Sequence, residues 1–424
     1  MMHAVLSWLG LVEVFDYHAA MNRYAQQIPP RWWPPKLHPF WVNVLRPLRK
    51  RMQLREQKLI EIQVRDLHHL RGSIAAGHGV LISPNHSGHA DAHVMYQAAD
   101  EIGVPFFFMT AWQVFFQRKR LGQWMLQAHG CFSIDREGTD LKAFRQATDI
   151  LQKRHNPLVI FPEGEVYHIN ERVTPFREGA AAVALSAAKR ADRDVVCVPC
   201  GIKYEYVEDP TDNLLALMDR LEQEIFWRPR TDLPLPQRIY RFAEGAMALK
   251  ELEYLGHTCA GALPDRTTAL ADHILTILEQ RYAVTPKSNA IPERVKELRR
   301  HALRELADLP DGHERRGPFE HDLDDLFLVV QLFSYPGDYV VENPTIERMA
   351  ETLDKFEEDV LDVYSASIRG RRRATIVFGA PIEVPRERKG KAVAAELTRS
   401  MEQGVQKLLD SIELKPNRFR DDDA

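Results

Sequence analysis

Strand-like and helix-like segments alternate between residues 60 and 206, and this alternation constrains the fold more than any other feature of the chain. Apolar runs at residues 79–84, 105–110 and 195–204 are separated by stretches with the apolar spacing of helices. Strands separated by helices of about 10–15 residues are typical of a largely parallel sheet. The sequence therefore predicts an α/β fold, with a mostly parallel central sheet flanked by helices.

The alternation stops after Tyr206, and this change of pattern divides the chain. The following stretch has the apolar spacing of helices, and a strand-like segment at residues 373–384 then precedes a last helix-like stretch. We therefore predict an α/β core that is split by a large helical insertion. The predicted bounds are 1–56 for an N-terminal helical segment, 57–207 and 371–415 for the core, 208–370 for the insertion and 416–424 for the tail.

Composition narrows the classes of function. The formal net charge is −4, whereas nucleic-acid-binding proteins usually carry a basic excess, so no nucleic-acid partner is expected. No apolar run approaches the roughly 20 residues that cross a bilayer as a helix, which argues against a multi-span protein. The four cysteines are too few for a disulfide scaffold. Because Cys197 and Cys200 have odd spacing on a strand, they should be buried thiols on opposite faces.

The N-terminal segment allows two interpretations. Apolar residues recur at helical spacing from Trp8 to Phe15, aromatic residues and prolines cluster from residue 32, and a basic run covers residues 46–55. Aromatic side chains and clustered cations favour an anchor at a membrane surface. The alternative is a helical cap on the core. The first residues lack the basic start of a secretory signal, so we expect the protein in the cytoplasm.

The sharpest chemical motif lies where the strand-like residues 79–84 end, and it reads Asn85-His86-Ser87-Gly88-His89-Ala90-Asp91. Active sites of α/β folds occur at such strand ends. A neutral His86 can take a proton from a hydroxyl, and the Asp91 carboxylate can fix its tautomer and stabilise the imidazolium. The hydroxyl would belong to a substrate, because no G-x-S-x-G nucleophile motif is nearby. As an alternative, His86, His89 and Asp91 could bind a metal ion.

Three further motifs follow the later apolar runs. Arg136 succeeds a short strand, and its guanidinium could hold a phosphate or form a surface salt bridge. A buried strand ends in Phe161-Pro162-Glu163-Gly164, and a second loop contains Arg177 in Pro175-Phe176-Arg177-Glu178-Gly179-Ala180. Pro199 interrupts an apolar strand, which predicts a sheet edge or a bulge there.

In this order and spacing, the four motifs resemble those of the glycerolipid acyltransferase family, which includes enzymes that acylate lysophosphatidic acid and glycerol 3-phosphate. His86 and Asp91 match its His-x4-Asp motif, and Arg136 matches the arginine of its second motif. The third and fourth motifs are matched by Phe161-Pro162-Glu163-Gly164 and by Pro199. The resemblance covers residues 60–204 and resumes near residues 375–384.

The resemblance implies a function. His86 would deprotonate the acceptor hydroxyl, Asp91 would orient His86, and the alkoxide would attack an acyl thioester of coenzyme A or acyl carrier protein. The residues expected to bind the substrates are Arg136, Phe161, Pro162, Glu163, Gly164, Arg177 and Pro199. No metal and no cofactor beyond the acyl thioester are implied. A lysophospholipid such as 1-acyl-glycerol 3-phosphate would be the acceptor, and the enzyme would lie on the cytoplasmic face of the cell membrane as a peripheral or monotopic protein.

Two departures from the family pattern stand out. Glu165-Val166 follows Gly164 where the family usually has Thr-Arg, so an acid replaces a cation near the expected phosphate. The helical insertion is also absent from typical members. The alternatives are therefore an acyltransferase that uses glycerol 3-phosphate or another lipid, a non-catalytic membrane scaffold on the same fold, and a metal-dependent hydrolase.

Overall fold

The structure is a computed structural model. It describes residues 30–136, 138, 140–286, 288–310, 312–335, 337–361, 363, 365–387 and 392–414. The amphipathic pattern from Trp8 to Phe15 and the predicted tail at residues 416–424 lie outside the described residues.

The chain divides into two compact units. The first, which we call the sheet unit, contains residues Pro30–Pro210 and the described residues from Ser367 onward. The second, the helical unit, is Thr211–Ala366.

The helices and strands of the sheet unit are numbered along the chain. They are α1 (Pro39–Val44), α2 (Arg46–Arg55), β1 (Leu59–Arg65), α3 (Leu67–Ala75), β2 (Gly79–Pro84), α4 (Asp91–Ile102), β3 (Phe107–Ala111), α5 (Trp112–Phe116), α6 (Arg120–Ala128), β4 (Cys131–Ile134), α7 (Leu141–Lys153), β5 (Leu158–Val159), α8 (Gly179–Ala188) and β6 (Val195–Tyr206). After the helical unit the numbering resumes with β7 (Arg372–Phe378), β8 (Ile382–Glu383) and a last helix, Ala392–Asp410.

The strands form one sheet in the order β1-β7-β6-β2-β5-β3-β4, and β8 pairs with the start of β6. Strands β6, β2, β5, β3 and β4 are parallel to one another. Strand β1 is parallel to β7, whereas β7 and β8 are antiparallel to β6. The predicted α/β fold with a mostly parallel sheet is confirmed.

Helices cover both faces of this sheet. Every residue of β2 is buried, as expected for a central strand of a parallel sheet. One apolar core contains residues of α7, α8 and the last helix, and the other contains residues of α3 and α4. Cys197 belongs to the first core and Cys200 to the second, so the prediction of opposite faces is confirmed. Burial raises the pKa of the Cys197 thiol to about 12, as expected for an inert core cysteine.

The prediction of a sheet edge at Pro199 is wrong, but the pairing beside it is irregular, because the register shifts by one residue between the Cys200–Phe378 pair and the Cys197–Ile382 pair. Pro199 lies within β6, opposite Ser83 of β2, and its carbonyl accepts a hydrogen bond from Gly379 N–H at 2.8 Å. On its other side β6 pairs with β8 at Val196 and Cys197 and with β7 from Cys200 onward. The proline therefore falls between two partner strands, where its missing N–H interrupts neither ladder.

Within its described residues, the helical unit consists of helices and one short 3₁₀ turn, as the pattern predicts. The helices are α9 (Thr211–Phe226), α10 (Leu235–Leu255), α11 (Leu263–Arg281), α12 (Ile291–Ala307), α13 (Gly317–Ser334), α14 (Tyr339–Glu342) and α15 (Ile346–Val360). Leucines and other apolar residues of α10 to α13 form a separate core. With these helices numbered, the last helix of the sheet unit (Ala392–Asp410) is α16.

Candidate active site

The loop between β2 and α4 places the His/Asp motif at the carboxyl end of a central parallel strand. Asn85, the first residue of this loop, is fully buried and binds the backbone of β6. Its Nδ2 donates to the carbonyl of Ile202 at 2.9 Å, and its Oδ1 accepts from Ile202 N–H at 2.7 Å. Because both backbone groups would otherwise be buried without a partner here, Asn85 fastens the loop to the neighbouring strand.

Asp91 is as deeply buried as Asn85, with 0% of its side chain exposed. Its Oδ2 accepts hydrogen bonds from His86 Nδ1 at 2.8 Å and from Gly88 N–H at 3.1 Å. Its Oδ1 accepts from the Tyr204 hydroxyl at 2.6 Å. Three hydrogen-bond donors thus take the place of the water molecules that the buried carboxylate has lost.

The His86–Asp91 contact sets which ring nitrogen can act on a substrate. A neutral imidazole that donates from Nδ1 to a carboxylate carries its proton there and leaves Nε2 as the acceptor. The His86 side chain is 23% exposed, so the ring remains open on one side while its partner is buried. The pair is arranged as a general base that Asp91 orients.

The segment after β5 positions His86 from the other side. The ring of Phe161 stacks on the His86 imidazole, with centroids 4.1 Å apart and an interplanar angle of 26°. Glu163 is buried, and its carboxylate accepts from the backbone N–H of His86 at 2.7 Å and of Thr174 at 2.9 Å. Burial raises the pKa of Glu163 to about 7, although these two hydrogen bonds favour the ionised form. Glu163 therefore holds the His86 backbone in place.

Arg136 reaches the same segment from the end of β4. Its Nη1 donates to the carbonyl of Gly164 at 2.5 Å and lies 2.6 Å from Glu165 Oε2. Both side chains of this ion pair are partly exposed, so a ligand can reach them. The cation expected to bind phosphate is thus paired with the acid that departs from the family pattern.

Arg177 packs directly over Gly164. The φ angle of Gly164 is +86°, and a Cβ atom there would lie 2.6 Å from Arg177 Nε, so only glycine fits. The Arg177 N–H donates to the carbonyl of Pro162 at 2.9 Å, and its side chain bonds to Tyr167. These contacts hold the loop that contains Gly164 against the loop that contains Arg177.

The structure therefore brings most predicted site residues together. Those assembled around the loops after β2, β4 and β5 are His86, Asp91, Arg136, Phe161, Pro162, Glu163, Gly164 and Arg177. Pro199 instead faces α16, where a Cβ on Gly404 would lie 2.9 Å from its ring. Its observed role is packing in the sheet.

The metal alternative does not match the observed geometry. His89 is exposed, and its ring lies edge-on to that of His168 with centroids 5.6 Å apart. Within the described part of the chain, the ligand atoms of His86, His89 and Asp91 are not close enough together to share one ion.

Sequence reasoning missed three contributors to the site: Tyr204, Glu165 as the partner of Arg136, and Thr174. The signal for Tyr204 was the length of the last apolar strand. Pro84 at the end of β2 is level with Cys200, so β6 extends beyond β2 and carries Tyr204 past the His86 loop.

The chain was compared with models of protein families and with curated proteins. The family model described as Acyltransferase matches residues 61–203, which include every predicted site residue, whereas Tyr204 lies one residue beyond the match. A comparison with curated proteins finds no match.

Proposed function

We propose, from the premise that residues 61–203 form an acyltransferase-family domain, that the chain is an O-acyltransferase of the glycerolipid type. The acyl donor is a thioester of coenzyme A or of acyl carrier protein. The acceptor is a hydroxyl of a lysophospholipid, such as 1-acyl-glycerol 3-phosphate, in phospholipid biosynthesis. The observation that carries the proposal is the His86–Asp91 pair, whose Nε2 is left to accept a proton within this domain.

The arrangement supports a direct transfer. His86 Nε2 takes the hydroxyl proton while the hydroxyl oxygen attacks the thioester carbonyl carbon. The new C–O bond forms, the C–S bond breaks, and the leaving thiolate takes the proton from the imidazolium. Asp91 stabilises the imidazolium during this step without taking its proton. No acyl-enzyme intermediate is required.

Replacement of His86 tests the proposal. General-base catalysis contributes roughly 10²–10⁴-fold, so His86→Ala should lower thiol release from acyl-CoA by about that factor. The chain offers a matched control in His68, an exposed histidine 3.9 Å from Asp66, and His68→Ala should leave the rate unchanged. Circular dichroism would establish that both variants are folded. Full activity of His86→Ala would refute the proposal.

We also propose contact with a membrane surface through α1 and α2. Phe40, Val44 and Leu54 expose 59%, 51% and 50% of their surface, and Lys50 is exposed beside them. Apolar and cationic side chains together suit a lipid surface with anionic headgroups. Part of the segment also caps the core, because Trp33 stacks on Phe115 at 5.3 Å.

Other contacts limit the charge available to lipid. Arg46 and Arg49 both bind Asp100 at 2.9 Å, so these two cations are held by the protein. Among the described residues, no helix has both the length and the apolar character that a membrane span requires. The proposal is therefore peripheral or monotopic attachment, on the cytoplasmic face, where a reducing environment suits the free thiols.

Vesicle sedimentation tests the attachment. The double variant Phe40→Ser with Val44→Ser should bind phosphatidylglycerol vesicles more weakly than the unaltered protein. Val341, exposed by 61% in the helical unit, supplies the control Val341→Ser, which should bind normally. Equal binding of the double variant and the control would contradict attachment through α1.

A further inference from the structure

The ion pair between Arg136 and Glu165 carries information about the acceptor. Arg136 Nη1 lies 2.6 Å from Glu165 Oε2 and donates to the carbonyl of Gly164. The side chains of Arg136 and Glu165 are 24% and 29% exposed, so both charges are open to a ligand. In addition, Arg136 Nε is buried and has no hydrogen-bond partner among the residues that the structure describes.

The pair lies next to the catalytic base. Gly164 and Glu165 directly follow Glu163, whose carboxylate binds the backbone N–H of His86. A headgroup bound at Arg136 would therefore belong to the molecule whose hydroxyl reaches His86. The other cation of this loop, Arg177, packs on Gly164 and bonds to Tyr167, so it is already engaged.

The charges of this pair discriminate between headgroups. A phosphate monoester carries about −1.5 to −2 charges near neutral pH. To bind Arg136 it must displace Glu165, which then faces the phosphate as a like charge. A phosphodiester with an attached ammonium group supplies both missing partners, because its phosphate can bind Arg136 while its ammonium binds Glu165.

We propose that the acceptor is a lysophospholipid with a zwitterionic headgroup, and that Glu165 is the residue that selects it over a phosphate monoester. The inference rests on the proposed acyltransferase function and refines its substrate class. On binding, the internal ion pair is exchanged for two ion pairs with the ligand. Glu165 does not take part in the chemical step.

The test compares three acceptors with the full-length protein and acyl-CoA. They are 1-acyl-glycerophosphoethanolamine, 1-acyl-glycerol 3-phosphate and 1-monoacylglycerol, each in micelles of a neutral detergent. We expect kcat/KM for the zwitterionic lipid to exceed that for the phosphate monoester by at least about tenfold, as one well-placed ion pair would produce. The uncharged monoacylglycerol should be poorer than the zwitterionic lipid.

Substitutions of Glu165 and Arg136 test whether these two residues produce the preference for the zwitterionic lipid. Glu165→Gln should lower kcat/KM for the zwitterionic lipid and raise it for the phosphate monoester, so that their ratio falls by about tenfold or more. Arg136→Gln should lower kcat/KM for both phosphate-containing acceptors by a larger factor than for the monoacylglycerol. Glu178→Gln, at an exposed glutamate of the next loop, is the matched control and should leave the ratio unchanged.

The outcomes separate this inference from the function on which it rests. Preference of the unaltered protein for the phosphate monoester or the monoacylglycerol would overturn the inference, as would an unchanged ratio in Glu165→Gln. If such transfer still depended on His86, the acyltransferase function would stand and only the acceptor class would be wrong. If the unaltered protein acylated none of the acceptors from either acyl-CoA or acylated acyl carrier protein, both proposals would fail.

Discussion

Tyr204 provides the strictest test of how the His/Asp pair is held. Its hydroxyl donates to Asp91 Oδ1 at 2.6 Å, and Asp91 is completely buried. Tyr204→Phe removes this hydroxyl and keeps the ring, including its stacking with Arg372, whose guanidinium lies 5.1 Å from the ring centroid. The substitution therefore takes one of three donors away from a buried carboxylate and changes little else.

The magnitude follows from the kind of bond that is lost. A hydrogen bond to a charged group contributes about 1.5–3 kcal/mol, and no water can replace the donor at a fully buried oxygen. The free energy of opening of this region should fall by that amount. Asp91 also becomes less well solvated and attracts the imidazolium more strongly, so kcat/KM should reach half of its plateau at a higher pH.

Two measurements check the prediction. Hydrogen exchange of β6 amides gives the local free energy of opening, which suits a chain of two units better than one global unfolding curve. The pH profile of kcat/KM reports on the base itself. Tyr96→Phe is the matched control, because its hydroxyl lies 3.6 Å from the uncharged Cys131 Sγ and its loss should cost less than about 1 kcal/mol.

The reasoning would be refuted if Tyr204→Phe behaved like Tyr96→Phe in both measurements. A loss of stability with an unchanged pH profile would show that Tyr204 only packs against Asp91. A shifted pH profile is the result that a merely structural role cannot produce.

Two further substitutions test the loop after β5. Burial raises the pKa of Glu163 from 4.5 to about 7. Between pH 4.5 and pH 7 the folded chain therefore binds a proton at Glu163 more tightly than the unfolded chain does. The free energy of unfolding consequently falls as the pH rises through this range. Glu163→Gln should remove about 3 kcal/mol of this pH dependence from the free energy of opening that hydrogen exchange reports for the sheet unit, and an unchanged difference between pH 5 and pH 8 would contradict it. Gly164→Ala should displace Arg177 and lower thiol release, because φ is +86° and the new Cβ would lie 2.6 Å from Arg177 Nε. Gly77→Ala is the control, because φ there is +75° but an added Cβ atom would have no neighbouring atom within 4 Å. This variant has the backbone strain without the steric clash, so thiol release should be unchanged. Equal losses of activity in Gly164→Ala and Gly77→Ala would contradict the prediction.

The sequence alone determined the fold class and the chemistry of the central motif. Strand and helix periodicities are local properties, so the alternation between residues 60 and 206 sufficed to predict the α/β core. The five-residue separation of His86 and Asp91 is also local, because it spans one loop and the start of α4. The resemblance to the acyltransferase family rests on motifs of this short-range kind.

The tertiary structure decided which distant residues complete the site. Tyr204 is 113 residues from Asp91 in sequence, and they meet only because β6 lies beside β2 and extends past its end. Glu163 and Glu165 are neighbours in one loop, yet one carboxylate binds the His86 backbone and the other binds Arg136. The order of strands and the direction in which each loop side chain points depend on packing across the whole sheet. Periodicity and spacing along the chain do not contain that information.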